Sequence, residues 1–284
     1  HFLAFCMSMP DSMKIRGSQP AEATRIQIGA SLTQGLGQDL RISGEIARLL
    51  DNRSWPQRDI ALDVQIDSLH VPVVARAIAA LREKIPRELD VTGPMALRMK
   101  ARGTLERPRL EEITLKIPLF GSTEYNAIVT GAIKFTERRS WEEAALDGKL
   151  TIDSLSLSRV HAFAIFENLL PADPTSEGSV KISNRFEGTW EYLRIGVLVL
   201  GNKADIRYKD WLRKPAEAPA TIRARISKEP QGLVFHPSEL DLGTQQLNFS
   251  GGVEYQPAPR LHARFYSRNA SASAWSRFLS VPGL

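Results

Sequence analysis

The chain repeats itself at a nearly fixed interval, and this constrains its fold more than any single residue does. Arg53-Ser54-Trp55 returns 86 residues later as Arg139-Ser140-Trp141, and Ile66-Asp67-Ser68-Leu69 returns at the same offset as Ile152-Asp153-Ser154-Leu155. Pro86, Gly93 and Gly103 return as Pro171, Gly178 and Gly188, each 85 residues on. Ser43-Gly44-Glu45-Ile46 has its counterpart in Thr130-Gly131-Ala132-Ile133, and Ser250-Gly251-Gly252-Val253 opens a third copy. A unit that recurs and breaks off partway predicts an elongated, stacked body. The expected division is a partial preceding repeat over 1–41, a first repeat over 42–128, and a second over 129–249 with an insertion near 203–220. A third repeat then starts over 250–284. Such arrays work by presenting a long surface.

Inside each unit the pattern is that of strands. Apolar and mostly polar residues alternate in Leu62–Ile66, Ile113–Leu119, Gly148–Ile152, Val180–Ser183 and Leu261–Phe265. Period-2 alternation puts one set of side chains on each face of a sheet. Punctuation by Gly, Pro, Asp and Asn predicts an antiparallel meander. Ile195–Leu200 is apolar throughout, as if covered on both faces. One helix is expected per repeat, over Pro72–Lys84 and Ser158–Leu170, stopped by Pro86 and Pro171, with another over Ser271–Leu279. In the insertion, Tyr208–Leu212 is expected to form a short amphipathic turn and 214–219 a linker loop.

Composition excludes several classes of function. Hydrophobic residues make up 43% of the 284 and charged residues 24%, which is ordinary for a folded protein. The net charge of +5 is spread along the chain, with no basic run interleaved with aromatics, so nucleic acid is not an expected partner. The single Cys6 rules out an intrachain disulfide framework. No stretch is long and apolar enough for a membrane-spanning helix. The chain starts at His1 without a signal peptide and reads as an internal or C-terminal piece of a longer one, with any anchor outside it.

No chemistry-bearing constellation emerges. The five histidines lack metal-ligand spacing, Gly35-Leu36-Gly37 lacks the lysine of a phosphate loop, and no serine sits in a nucleophile elbow. Glu111-Glu112 and Glu142-Glu143 are expected at loop or strand ends, where they are solvated. The repeated Ile-Asp-Ser-Leu reads as a strand end, with Asp and Ser turning the chain toward the helix. The expectation is therefore a protein that is not an enzyme, with no catalytic residues, cofactor or metal. What remains is the apolar face, with Ile113, Leu115, Ile117, Leu119, Leu150, Ile152, Val180 and Ile182 as its candidate lining. Periodicity alone fits either a closed sandwich core or an open trough.

One further pattern bears on this. Gly93-Pro94-Met95-Ala96-Leu97 is followed by Lys100-Ala101-Arg102-Gly103-Thr104-Leu105 and then Arg107-Pro108-Arg109-Leu110. A strand running into Gly-Thr-Leu, a charged residue or two, then Pro-Arg-Leu, resembles the AsmA-like proteins, including their TamB branch. Ile66–Leu81 and Leu247–Val253 are similar to segments that recur in that family. The second copy departs from it, since Thr189-Trp190-Glu191-Tyr192-Leu193 lacks the proline. The resemblance implies a mainly β fold with a few short helices: an elongated, curved antiparallel sheet open as a groove, built from repeats of about 86 residues. It also implies a Gram-negative envelope protein in the periplasm, anchored to the inner membrane, carrying phospholipid acyl chains toward the outer membrane in outer-membrane biogenesis. Its partners would then be phospholipids and components of both membranes. Two alternatives stand beside this: an assembly factor pairing edge strands with outer-membrane β-barrel or secreted β-proteins, and a closed structural β-rod.

Overall fold

A computed structural model describes residues 23–30, 40–47, 57–69, 94–104, 106–119, 122–135, 143–160, 176–208, 212–255, 260–267, 275, 276 and 278. Among these residues fourteen strands form one antiparallel sheet. They are β1 (Ala23–Ala30), β2 (Leu40–Ala47), β3 (Asp59–Leu69), β4 (Met95–Thr104), β5 (Pro108–Ile117), β6 (Ala127–Lys134) and β7 (Ala145–Ser156). They continue as β8 (Glu177–Gly188), β9 (Leu193–Tyr208), β10 (Leu212–Lys214), β11 (Ala220–Glu229), β12 (Gly232–Leu242), β13 (Gln245–Glu254) and β14 (Arg260–Tyr266). Thirteen of them follow chain order, and β10 pairs with the far end of β9 beside this path. The sheet is curved and unclosed, as expected for the open groove and not for a sandwich or closed rod. Thirteen strands at ~4.8 Å spacing give it a length of about 60 Å along the ladder.

The meander arises because each hairpin brings residues of like polarity into register. Two of the hairpins are the same device 85 residues apart. Gly103 and Gly188 end β4 and β8 at φ +94° and +124°, conformations that L side chains avoid. The threonine that follows caps the turn: Thr104 Oγ1 accepts from Arg107 N at 3.0 Å, and Thr189 Oγ1 from Tyr192 N at 3.2 Å.

The Ile-Asp-Ser-Leu motif differs from its expected role. In both copies it is a β-bulge inside the ladder. Ile66 and Leu69 pair with Leu97 and Met95, while Ile152 and Leu155 pair with Ile182 and Val180, so one extra residue is accommodated each time. Asp and Ser therefore bend the strand instead of ending it. These local devices recur at the sequence offsets, but the sheet itself runs on without division into 86-residue units.

Other expectations need correction. Glu111 and Glu112 lie in the middle of β5, at a second bulge, with Glu112 at φ +51°. They contact Arg102 (3.7 Å) and Lys100 (2.5 Å) respectively. Tyr208 and Leu212 are paired positions of the β9–β10 hairpin, not a helical turn, and Lys214 is the last residue of β10, not part of a loop. Ile195–Leu200 is not sandwiched. Leu198 and Leu200 stand opposite Ser183, Arg223, Lys181 and Thr221 on the polar face. Of the expected helices, only α1 (Leu157–Val160) falls among the described residues of Ser158–Leu170. Pro72–Lys84, both Arg-Ser-Trp motifs and most of Ser271–Leu279 lie outside them.

Candidate functional site

The ladder register aligns apolar residues into rows that run across the sheet on one face. One row is Ile66, Leu97, Leu115, Val129, Leu150, Asn184, Val197 and Ala224. A parallel row is Ile117, Ala127, Ile152, Ile182, Val199, Ile222, Leu240 and Leu247. A third carries Ile113, Gly131, Gly148, Phe186, Ile195, Ile226 and Phe235. The bulges keep these rows aligned. Without the extra residue at Glu111-Glu112, the second half of β5 would present its polar side to the apolar face.

The opposite face carries most of the charges. Lys181 meets Asp153 at 2.6 Å, Arg223 meets Asp241 at 2.5 Å, and Arg194 meets Glu187 at 3.7 Å. These pairs are exposed and add little stability. The polarity difference fixes which face points where.

The structure places all eight sequence-predicted residues on the apolar face. Leu119, Ile152 and Val180 are buried in one cluster with Ala127, Leu155 and Ala204, and Ile117, Leu150 and Ile182 pack against it. Ile113 and Leu115 lie farther along the same face and remain half-buried. Sequence reasoning did not assign Val199, Ile222, Leu240 and Phe235 to this face; alternation in β11 and β12 carries the signal for the last three, whereas Val199 sits in a continuous apolar run that hides its phase.

Burial grades along the face. Near the ends of β5, β7, β8, β11 and β12, apolar side chains from outside the ladder fold over it. Leu119 and Leu157 join the first cluster, while Phe278 and Trp275 cover Ala220, Leu240 and Leu242. Farther along the face Ile46, Ile60 and Ala101 form a third buried cluster with Leu62 and Leu110 packed against it, and most of the remaining described row residues are half-buried. The apolar side is nonetheless less exposed than the polar side, as in β7 and β8.

Polar intrusions are few. Asn184 interrupts its row with Oδ1 buried and without a hydrogen-bond partner, and Gln245 Oε1 is in the same condition beside Leu242. Lys214, across from Ile206, is 1% exposed; its Nζ donates to Gly201 O at 2.5 Å and Ala204 O at 2.6 Å. Burial holds this ammonium below its ordinary pKa, with Asp205 and Glu217 pulling it back up. Among the described residues no three His, Cys, Asp or Glu side chains converge as a metal site. His236 shares a 2.7 Å hydrogen bond with Ser227 instead.

No family model, curated protein or solved structure matches the chain.

Proposed function

We propose that the apolar face binds the acyl chains of phospholipids and lets them pass along the sheet, as a non-enzymatic conduit between two membranes. The observation that carries this reading is the continuity of the apolar rows from β3 to β13, on a face that the described residues outside the ladder cover only in part, at the Leu157 and the Phe278 and Trp275 clusters. An acyl chain in water costs about 0.8 kcal/mol per CH₂. A continuous apolar trough removes that penalty at every rung, and no catalytic group is needed. The resemblance to AsmA-like proteins supports the envelope setting: the periplasm, attachment to the inner membrane, and delivery toward the outer membrane.

The test is native mass spectrometry of the purified protein, with lipid extraction from the same sample. Stoichiometric phospholipid that disappears in a folded Ile182→Asp variant supports the conduit. A clean protein mass after gentle purification counts against it.

A second reading rests on β14. All seven of its residues are exposed, with Leu261 at 75% and Phe265 at 64%. Such an edge can accept another strand, so assembly of β-rich clients by strand addition is the alternative activity.

A further inference from the structure

The apolar face has a charge signature of its own. Among the described side chains no Asp or Glu stands in the apolar phase of any strand. The bulge carboxylates are engaged elsewhere: Asp67 by Gln65, Asp153 by Lys181, Glu111 and Glu112 by Arg102 and Lys100. Two charges do occupy that phase, and both are ammonium groups. Lys214 is buried and committed to two carbonyls. Lys228 is the other.

Lys228 lies in phase with Ile222, Ala224 and Ile226 of β11, and its rung partners are Leu193 and Leu233. A lysine between two leucines can lay its methylene stem along them, but its ammonium needs a polar partner. It has no carboxylate partner among the described residues. Instead it is held in place by the β8–β9 turn, where its Nζ sits 4.4 Å from the centre of the Trp190 ring and donates to the Trp190 carbonyl. An ammonium has three donors, so two remain for a ligand. Trp190 and Tyr192 are 58% and 59% exposed on the same turn, amphipathic rings of the kind that settle where apolar and aqueous phases meet.

We infer that Lys228 is the headgroup anchor of the trough, selecting amphiphiles whose polar end is a phosphate-type anion. The tail lies on the rows beginning at Leu193 and Leu233, and the anion is held at the rim by the Lys228 ammonium beside Trp190. The lack of carboxylates in this phase among the described side chains leaves nothing there to repel such a headgroup. The inference rests on the acyl-chain reading above and adds headgroup selectivity and orientation to it.

The experiment compares binding of three amphiphiles with the same twelve-carbon chain: dodecyl phosphate, dodecylphosphocholine and dodecyltrimethylammonium. Each is titrated below its micellar concentration against the native protein, Lys228→Gln and Lys228→Arg, with thermal melting as the check on folding. The native protein should prefer dodecyl phosphate over dodecyltrimethylammonium by about tenfold or more, the scale of one charge-assisted contact. Lys228→Gln should lose that preference while keeping chain binding, and Lys228→Arg should keep it. If all three bind equally in every variant, headgroup anchoring is overturned and the acyl-chain reading stands. If none binds to the folded native protein, both fall.

Discussion

The ring of Phe186 fills the space that a side chain at Gly148 would need. A Cβ on Gly148 would fall 2.5 Å from Phe186 Cζ, 2.8 Å from Cε2 and 2.8 Å from the Thr130 carbonyl oxygen. Gly131, Gly148 and Phe186 are consecutive rungs of one row, and the Phe186 ring lies over the Gly148 position. This packing substitutes for the side chain missing at Gly148 and keeps the row apolar between β7 and β8.

Gly148→Val should therefore destabilise the protein by about 1–3 kcal/mol through overpacking. The ring can swing away, but the Thr130 carbonyl cannot. The check is a shift of the urea midpoint with an unchanged slope, which separates lost stability from an altered unfolded state.

Lys214 gives a prediction with a pH signature. Lys214→Met removes both donors from the Gly201 and Ala204 carbonyls and should cost about 2–3 kcal/mol near neutral pH. Burial lowers the folded-state pKa of Lys214 below its ordinary value of 10.5. Below that folded value both states are protonated and stability has no pH slope from this group. Between it and 10.5 the unfolded chain binds more protons, so stability rises with pH. The neutral amine still has two hydrogens for the two carbonyls. Denaturant titrations from neutral to alkaline pH should show native protein gaining on Lys214→Met across that window.

Much of this architecture is legible in the residues, and what is not has identifiable causes. The phase of Ile113, Leu115 and Ile117 or of Leu150 and Ile152 is a direct consequence of period-2 geometry, so one face of the sheet can be written down from the alternation. Bulges break that logic. At Glu111-Glu112 one extra residue shifts the phase of β5, and two adjacent carboxylates look from sequence like a loop or a strand end. At Ile-Asp-Ser-Leu the turn-forming chemistry of Asp and Ser is real, but the bend it makes is taken up inside the ladder. Lys228 was readable too, as a cation in phase with Ile222, Ala224 and Ile226. The sheet's openness was not, because a strand presents the same alternation whatever covers its apolar side.

That openness predicts a contrast between two acidic substitutions on the same face. Val180 is 7% exposed inside the cluster with Ile152 and Leu155, so Val180→Asp buries an unpaired carboxylate and should unfold the protein or cost about 3 kcal/mol or more. Leu115 is only half-buried, so Leu115→Asp should leave a folded protein, with a penalty of about 1–2 kcal/mol, that no longer retains lipid through purification. Circular dichroism and lipid extraction on the same samples check both. Equal unfolding of the two would mean that the face is covered as fully at Leu115 as at Val180.

The edge at β14 offers a last contrast. Val253 and Phe249 are continued across the rung by Leu261 and Phe265, and the Phe249 and Phe265 rings sit 6.4 Å apart. The apolar rows thus run out to the border of the described sheet, where the charges of β14, Arg260 and Arg264, stand in the opposite phase and leave the apolar side of the edge unguarded. Leu261→Lys with Phe265→Lys places two cations in that phase. Both residues are more than half exposed, so stability should change by no more than about 0.5 kcal/mol each. Association through strand addition at this edge should fall sharply. Sedimentation velocity over a range of concentrations reads the effect directly. Self-association that weakens in the double variant locates the sticky surface at β14, and association that persists unchanged assigns it to another part of the molecule.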